Sequence, residues 1–385
     1  MSTDEALATT GQRWRAWLGI ALSVYGILLA VGMVGAGFKW FAGGAEGARE
    51  LFAFASNPFV GLMVGMLATV LVQSSSTVTS VIVGLVAGGL PVSEAIPMIM
   101  GANVGTTITN TLVAMGHVRK KKEFRKAFAA ATVHDFFNVM AVAVFLPLEL
   151  AFGILEKLSF WVSGFFAGTE ASINIKDLNF IKPLTKPVIG AEKDLLLSMG
   201  LPDKVAAVVL ALLGVALIFA SIMLIGRLLK VVMVGRAKHA LHSAVGRGPM
   251  TGIASGATVT VLVQSSSTTT SLIVPLAGTG VFSLREIYPF TLGANIGTTI
   301  TALLASLAIT NEFAQFAMQI ALVHFFYNVL AVSVLFSLPV VRDWPIRGAE
   351  WLSEISAEKK LYGLSYVFGV FFLLPALLIA VTSQL

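Results

Sequence analysis

Two polar Gln-Ser-Ser-Ser sequences interrupt long apolar segments of this chain. The first lies in TVLVQSSSTVTSVIVG at residues 69–84, and the second in TVLVQSSSTTTSLIVP at residues 260–275. The apolar arm on either side of each motif would reach only about 20 Å as a helix, too short for a bilayer core of about 30 Å. The pattern therefore predicts two re-entrant helical hairpins, 58–90 and 249–281, whose polar tips lie within the membrane.

The composition is typical of a polytopic membrane protein. Hydrophobic residues make up 56% of the chain and charged residues 12%, and the mean hydropathy is +0.87, outside the usual range for soluble domains. Cysteine is absent, which excludes disulfides and thiolate metal sites. Seven apolar windows reach the length of about 20 residues that a crossing needs. They are 17–37, 94–116, 127–147, 204–226, 286–309, 315–340 and 361–381.

The charged loops predict the orientation of these crossings. The segment RKKKEFRK (119–126) has six cations and one acid, and 227–247 has five cations and no acid, so both are expected in the cytoplasm. The balanced charge of 170–204 favours an external loop. This assignment predicts a cytoplasmic N-terminus and an external C-terminus. The net charge of +6 then reflects loop orientation and gives no reason to expect a nucleic-acid partner.

Three sequence blocks occur twice in the same order. Gln73 aligns with Gln264 at an offset of 191 residues, GANVGTTITNTLVA with GANIGTTITALLA at 192, and TVHDFFNV with LVHFFYNV at 190. Such a duplication predicts two structural repeats. Because an odd number of crossings separates the copies, the two repeats are expected to have opposite orientations.

The predicted fold is therefore an all-α polytopic membrane protein with two inverted-topology repeats. Glycines in the GAN blocks are expected to break one crossing in each repeat. The segments 155–168 and 344–358, rich in aromatic and charged residues, are expected as interfacial helices. The predicted organisation is a first inverted repeat at 1–168 (hairpin 58–90, broken helix 94–116), an external linker loop at 169–203, a second inverted repeat at 204–358 (hairpin 249–281, broken helix 286–309) and a C-terminal transmembrane helix at 359–385.

The hairpin tips concentrate hydroxyl groups, each of which can donate and accept hydrogen bonds. A helix that starts at each tip also presents free N–H groups and a partial positive charge, which favour an anion. The two tips together are therefore predicted to bind an oxyanion. The candidate substrate-binding residues are Ser74, Ser75, Ser76, Thr77, Ser265, Ser266, Ser267 and Thr268.

Neutral oxygen atoms accumulate near the same tips. Broken helices would expose carbonyl groups beside threonine hydroxyls, and the tip glutamines add amide oxygens. Neutral oxygens suit sodium, whereas proton coupling needs a titratable group in the core. The candidate cation ligands are Gln73, Thr106, Thr109, Gln264, Thr298 and Thr301.

These motifs together resemble those of the type II sodium-dependent phosphate cotransporter family. The resemblance is carried by the paired QSSS motifs, by GANIGTTIT and by ATVHDFFN, and it covers nearly the whole chain except its termini and central loop. It implies sodium-driven uptake of inorganic phosphate by an inverted-repeat transporter with an elevator or rocking motion, with sodium as coupling ion and no other cofactor. The short central loop, without cysteines, implies a bacterial-type member in the inner membrane.

The resemblance also implies specific ligands. Sodium is expected at Gln264 and Ser265, at the backbone of Ala294, and at Thr298 and Thr301. The matching residues of the first repeat form a second candidate set, namely Gln73, Ser74, Thr106 and Thr109. Phosphate is expected at the serines of the two tips.

A few polar residues within predicted crossings complete the candidate site. Asp135 is the one carboxylate well inside a predicted crossing, which makes it a functional candidate, although its repeat partner is Phe325. His134 and His324 recur on equivalent helices, where interhelical hydrogen bonds are the simplest role. The supporting residues are Asn103, Asn295, Asp135, His134 and His324.

The polar tips raise three alternatives to coupled phosphate transport, namely an intramembrane hydrolase, a passive anion channel and a transporter of another anion. An intramembrane serine hydrolase needs a base beside its nucleophile, and no Ser-Lys or Ser-His pairing repeats in the sequence, so the chain is not expected to be an enzyme. A passive anion channel could also use polar tips, and the guest could be sulfate, arsenate or a dicarboxylate with sodium or proton coupling. The expected partners are phosphate, sodium and the lipid bilayer, with a homo-oligomer as an open alternative.

Overall fold

The computed structural model describes residues 10–44, 47, 56–167, 181–233, 248–309 and 312–382, and these residues form helices joined by short turns without any strand. The helices are α1 (Thr10–Ala42), α2 (Pro58–Val72), α3 (Ser75–Ala87), α4 (Val92–Gly105), α5 (Ile108–Met115), α6 (Lys121–Phe152), α7 (Ile154–Ala167), α8 (Ile181–Ser198), α9 (Asp203–Met233), α10 (Pro249–Val263), α11 (Ser266–Ser271), α12 (Ile273–Gly278), α13 (Leu284–Leu307), α14 (Ala314–Ser337), α15 (Pro339–Arg342), α16 (Trp344–Glu358), α17 (Lys360–Phe368) and α18 (Leu374–Thr382), with a π-helical turn (Gly369–Leu373) between the last two.

Six of these helical runs are long and apolar enough to cross a membrane, in the described part of the chain. They lie in α1, α6, α9, α13, α14 and the run from α17 to α18, and each overlaps a crossing predicted from the sequence. The seventh predicted crossing, 94–116, is divided between α4 and α5 by Thr106 and Thr107. The described part of the chain is therefore all-helical, and the length and composition of its helices are those of a multi-pass membrane protein.

Each polar motif separates two short helices that pack on a longer glycine-containing segment. Helix α2 packs along α4, and α10 packs along α13. A Cβ on Gly65 would lie 2.0 Å from the carbonyl oxygen of Met98, and a Cβ on Gly256 would lie 2.0 Å from that of Phe290. The same positions of the two copies thus bring helix backbones into direct contact, which only glycine permits.

The predicted break at 286–309 is wrong, because α13 is one continuous helix from Leu284 to Leu307. The glycines of this segment allow α13 to pack closely against α10 and do not interrupt the helix. A Cβ on Gly293 would lie 1.9 Å from the carbonyl oxygen of Ile253, and one on Gly297 would lie 2.5 Å from that of Ala257. A glycine that faces a neighbouring backbone is compatible with an unbroken helix, so glycine in the GAN block does not by itself predict an interruption.

The predicted external linker, 169–203, is also not simply a loop. Residues 181–198 form helix α8, whose Val188, Ile189 and Leu196 pack against α1 and α9 around Met33 and Leu210. Two prolines obscured this helix in the sequence. Pro183 lies in its first turn, where no intrahelical N–H partner is lost, and Pro187 lies inside it. Residues 169–180 lie outside the described residues.

The two segments predicted as interfacial helices are helical. Helix α7 begins after Gly153, and the carboxylate of Glu149 accepts hydrogen bonds from its first free N–H groups, at Leu155 (2.6 Å) and Glu156 (3.0 Å). Helix α16 covers the start of α6, where Arg125 pairs with Glu354 at 3.4 Å. These contacts fix the segments that flank the central helices.

The largest buried apolar cluster joins the two halves of the chain. It contains Val83 from α3, Ile99 from α4, Leu292 from α13 and Ile320 from α14, and each is fully buried. Both GAN blocks and the first QSSS turn therefore border one packed core, whereas Val259, Val263 and Ile273 beside the second turn belong to a smaller cluster.

Candidate functional site

Each polar motif folds into a two-residue turn between two helices. Gln73 and Gln264 end α2 and α10 with φ of 59° and 55°, and they are the only non-glycine residues of the described chain with positive φ. This left-handed conformation is unfavourable for a residue with a Cβ. It lets each backbone N–H reach the carbonyl of Thr69 (2.8 Å) or Thr260 (2.7 Å). Strained backbone at two equivalent sites marks both turns as functional candidates.

The glutamine side chains connect each turn to the facing helix. Each Nε2 donates to the carbonyl three residues earlier, at 2.5 Å for Gln73 and 2.6 Å for Gln264. Each Oε1 then accepts a hydrogen bond from a threonine, Thr109 for Gln73 and Thr301 for Gln264, both at 2.8 Å. The same glutamine and threonine oxygens, predicted as cation ligands, are thus paired in both repeats.

Ser74 and Ser265 start the helices that leave the turns. Their backbone is extended, with φ of −154° and −156°, and each Oγ accepts from the N–H of the threonine three residues on, Thr77 at 3.2 Å and Thr268 at 3.1 Å. Both are therefore N-cap residues. Because the hydroxyl proton of each serine remains free for another acceptor, this arrangement still leaves a donor for an anion.

The two turns differ in burial. Gln264 is 8% exposed and Thr301 1% exposed, whereas Gln73 is exposed and Thr109 is half-buried. An ion between Gln264 and Thr301 would be shielded from water, so its interaction with the amide and hydroxyl oxygens would be stronger there than at the first turn.

The remaining predicted sodium ligands lie on the GAN segments. Thr298 is buried, and its hydroxyl has no hydrogen-bond partner among the described residues. Ala294 is fully buried inside the continuous helix α13. The hydroxyl of Thr106, the first-repeat counterpart of Thr298, donates to the carbonyl of Ala102 at 3.0 Å. The hydroxyl of Thr298 in the second repeat is thus unpartnered among the described residues, whereas that of Thr106 in the first repeat is hydrogen-bonded.

A cavity of about 280 Å³ lies between the two turns. It brings together tip residues of both repeats with one face of α9. The lining residues are Val72, Gln73, Ser74, Thr77, Phe219, Ile222, Met223, Arg227, Val263, Ser265 and Thr268. Arg227 is the only charged side chain that the described residues contribute to this lining. The sequence placed it in a cytoplasmic loop, but α9 continues through it to Met233, so its position opposite the turns could not be read from the loop pattern.

The other predicted substrate residues lie behind this lining. Ser75, Ser76, Ser266 and Ser267 are buried at the start of α3 and α11. Ser267 Oγ lies 3.4 Å from the carbonyl oxygen of Thr106, at the interruption between α4 and α5. These serines connect the turns to the neighbouring helices, and a direct contact with substrate stays a prediction.

A hydrogen-bond network crosses between the repeats. His134 Nε2 lies 2.5 Å from Asn295 Oδ1, and His324 Nε2 lies 3.3 Å from Asn103 Oδ1. Asn138 joins the two halves of the network, since its Oδ1 accepts from Asn295 Nδ2 at 2.7 Å and its Nδ2 donates to the carbonyl of Asn103 at 2.9 Å. All five side chains are buried. Each GAN asparagine is therefore held by the histidine of the other repeat.

Asp135 lies next to this network but does not belong to it. Its side chain is 1% exposed, and its Oδ2 accepts a hydrogen bond from the hydroxyl of Tyr366 at 3.0 Å. Its Oδ1 has no partner in the described part of the chain. Tyr366 was not a candidate from the sequence, because the C-terminal helix lies outside both repeats and offers no counterpart for comparison.

Comparison with known proteins identifies the family. The model of the Na+/Pi-cotransporter family matches residues 27–165 and 217–338, which contain both turns, both GAN blocks and both histidines. The chain belongs to the Na+/Pi-cotransporter family. The resemblance to the type II sodium-dependent phosphate cotransporters is thereby confirmed.

This Na+/Pi-cotransporter family member is also similar to curated proteins described as sodium-dependent phosphate transport proteins. The chain is 35% identical over 407 residues to sodium-dependent phosphate transport protein 2A of Rattus norvegicus, covering 88% of this chain and 63% of the relative. It is 34% identical over 404 residues to sodium-dependent phosphate transport protein 2B of Homo sapiens, covering 83% of this chain and 58% of the relative. The chain thus spans about three fifths of the length of these relatives. No solved structure matches it.

Asn110 joins the second turn to the first repeat. The sequence pattern did not identify this residue. Asn110 on α5 is 1% exposed, and its Oδ1 accepts hydrogen bonds from Thr270 (2.9 Å) and Ser271 (3.0 Å) on α11. Its repeat partner is Ala302. The signal was present as a difference between two otherwise matching blocks, TTITN and TTITA, whereas the predicted ligands come from the positions at which the blocks agree.

Replacing Asn110 with alanine should loosen α11 from α5. Ser271 loses its acceptor, and a buried cavity replaces the amide, so we expect a loss of about 1–3 kcal/mol in the free energy of unfolding. The measurement is thermal unfolding of the purified protein in detergent. Asn110→Leu keeps a side chain of similar size and removes the acceptor oxygen, so it tests the hydrogen bond apart from packing. An alanine variant as stable as the wild type would contradict the assigned contact.

Proposed function

We propose that this chain is a sodium-coupled symporter that takes up inorganic phosphate by alternating access. The observation that carries the proposal is the cavity of about 280 Å³ between the two turns, to which both repeats contribute hydroxyl groups through Ser74, Thr77, Ser265 and Thr268. Since one water molecule occupies about 30 Å³ in the liquid, this space has room for an oxyanion with part of its water. Membership of the Na+/Pi-cotransporter family supports phosphate as that oxyanion.

The charge of the cavity supports an anionic substrate. Its one charged residue among the described lining is Arg227, a guanidinium that can donate two parallel hydrogen bonds to a phosphate. The hydroxyls of Ser74 and Ser265 add donors from opposite sides. No acidic side chain of the described chain lines the space, so these walls do not repel an oxyanion.

Sodium is proposed at the second turn. Gln264, Ser265, Thr298 and Thr301 supply neutral oxygens, with the backbone of Ala294 nearby on α13. A cation there would reduce the electrostatic cost of placing phosphate in the adjacent cavity, so each ion should favour the other. By thermodynamic reciprocity, phosphate should tighten sodium binding by the same factor by which sodium tightens phosphate binding.

The proposed architecture uses two inverted repeats with re-entrant hairpins in a bacterial inner membrane, with the N-terminus cytoplasmic and the C-terminus external. Two ion pairs support these sides. Arg125 pairs with Glu354; the basic loop 119–126 assigns Arg125 to the cytoplasm, and the order of the predicted crossings places Glu354 on the same side. Lys39 pairs with Glu312, and both lie in segments assigned to the outside. The proposal includes no enzymatic activity.

The test is radiolabelled phosphate uptake into proteoliposomes that contain the purified chain. Uptake with an inward sodium gradient is compared with uptake in potassium or choline, and an inward proton gradient is applied separately. Excess unlabelled sulfate, arsenate or succinate is added in parallel to compare substrates. Empty liposomes provide the background.

Accumulation above equilibrium that requires sodium would support symport. Phosphate equilibration without accumulation, whatever the cation, would favour a passive anion channel and overturn coupling. Uptake that follows the proton gradient would remove the cation sites from the mechanism and direct attention to Asp135. Sulfate, arsenate or succinate that inhibits the uptake of labelled phosphate at a lower concentration than unlabelled phosphate does would assign another anion to the same cavity.

A further inference from the structure

A fully buried threonine beside the second turn has no hydrogen-bond partner in the described part of the chain. Thr260 on α10 is 0% exposed, and its hydroxyl has no partner among the described residues. Several other buried or membrane-facing threonines bond to a carbonyl of the preceding turn, as Thr258 on α10 does to Ala254 and Thr132 on α6 does to Phe128, both at 2.8 Å. A buried hydroxyl without a partner is costly and rare. Thr260 therefore differs from Thr258 on the same helix, and its unpaired hydroxyl needs a physical reason.

The position of Thr260 connects it to the proposed cation site. It precedes Gln264 by one helical turn on α10, and a Cβ on Gly297 would lie 2.8 Å from its own Cβ. Gly297 in turn precedes Thr301 by one turn on α13, and Thr301 bonds to Gln264. Residues four apart share one helix face. Thr260 thus lies in the layer directly next to the Gln264–Thr301 pair, at the contact between α10 and α13.

We infer that Thr260 is a further ligand of the coupling cation, an inference that rests on the proposed sodium site. Its hydroxyl would join the unpartnered hydroxyl of Thr298 and the oxygens of Gln264 and Thr301, so the cation itself satisfies two otherwise unpaired groups. All four are neutral oxygen donors. The described residues contain no cluster of three or more His, Cys, Asp or Glu that could hold a metal, so the donor set favours a monovalent ion over a transition metal.

The first repeat provides an internal comparison. Thr69 matches Thr260, is also 0% exposed with a hydroxyl unpartnered among the described residues, and would lie 2.8 Å from a Cβ on Gly105. There, however, Gln73 is exposed and the hydroxyl of Thr106 is already bonded to the carbonyl of Ala102. The first repeat thus offers fewer free oxygens in a wetter place. Tight cation binding belongs to the second repeat, and the two positions give a matched pair for experiment.

The test uses Thr260→Val, which keeps the shape of the side chain and replaces the hydroxyl with a methyl group. Thr69→Val is the matched variant in the first repeat, and Thr260→Ser restores the hydroxyl. Thermal unfolding of the purified full chain in detergent is followed while sodium replaces choline at constant ionic strength. A ligand that binds the folded state raises the melting temperature. Half-saturating sodium for phosphate uptake is measured on the same variants.

In choline, T260V should melt at or above the wild-type temperature, because it removes an unpaired buried hydroxyl. The sodium concentration for half-maximal stabilisation should rise about tenfold in T260V, a change of about 1.4 kcal/mol. Thr260→Ser should restore most of the wild-type response. The rise in T69V should stay below about threefold, since the first turn is more exposed.

The outcomes separate this inference from the proposed function. A wild type stabilised by sodium and a T260V variant with the same sodium response would overturn the role of Thr260 and leave sodium coupling in place. An equal rise in the half-maximal sodium concentration in T260V and T69V would overturn the assignment of the cation site to the second repeat. A T260V melting temperature below that of the wild type in choline would assign Thr260 to packing and also overturn the inference. A wild type that does not respond to sodium would overturn the sodium site as a whole.

Discussion

Gln264→Ala should raise the sodium concentration that half-saturates phosphate uptake by about tenfold or more, while the protein still folds. The substitution removes an amide oxygen from a site where Gln264 is only 8% exposed and bonds to Thr301 at 2.8 Å. A lost ligand at a buried site is replaced poorly by water, so a cost of about 1.5–3 kcal/mol is expected for a charged guest. The measurement is initial phosphate uptake in proteoliposomes as a function of external sodium.

Gln73→Ala is the matched control for this experiment. Gln73 has the same left-handed backbone, with φ of 59° against 55°, and the same 2.8 Å hydrogen bond from a threonine of the facing helix. The two substitutions therefore disturb backbone and hydrogen bonds alike and differ in burial. We expect a smaller rise for Gln73→Ala. Equal rises would show that the two turns act alike, and unchanged sodium dependence in Gln264→Ala would remove Gln264 from the site.

The sequence was most informative where the two copies agree. Gln73 and Gln264, Thr109 and Thr301, and His134 and His324 were found because a polar residue is costly in an apolar segment and rarely recurs at the same place by chance. The structure gives each pair similar hydrogen-bond partners, although the two turns differ in burial and the GAN segment is interrupted only in the first copy. Agreement between copies predicts local geometry well, because the same residues meet the same neighbours.

Residues without a counterpart were harder to find from the sequence. Arg227 lies on α9 opposite both turns, and Tyr366 reaches Asp135 from the C-terminal helix. Both contacts depend on how helices outside the repeated blocks pack, which local patterns do not encode. Asn110 was missed for a related reason, since its contact with α11 exists only where the copies differ. Asymmetry between the copies is thus the part of the site that needs three-dimensional information.

The same limit explains the error at the second GAN block. Glycine in an apolar helix can mark a break or a close backbone contact, and the sequence pattern is identical for both. In α13 the contact is the reason for the glycine, because a Cβ on Gly293 would lie 1.9 Å from the carbonyl oxygen of Ile253. The contact places Gly297 and Thr301 against α10, so the position of the cation ligands depends on this glycine.

Gly293→Ala should therefore lower the stability of the protein by about 3 kcal/mol or more, since a backbone carbonyl cannot turn aside as a side chain can and α10 must move away from α13. A glycine needed only to break a helix would give the opposite result, because alanine favours helix by about 1 kcal/mol. Gly164→Ala on α7 is the control, as no atom lies within 4 Å of the added Cβ. Thermal unfolding in detergent should show a large decrease in melting temperature for Gly293→Ala and little change for Gly164→Ala.

The fraction of Gly293→Ala protein that still folds should also need a higher sodium concentration for phosphate uptake, because the separation of α10 and α13 moves Thr301 away from Gln264. A stable Gly293→Ala variant with normal sodium dependence would contradict the packing role of Gly293.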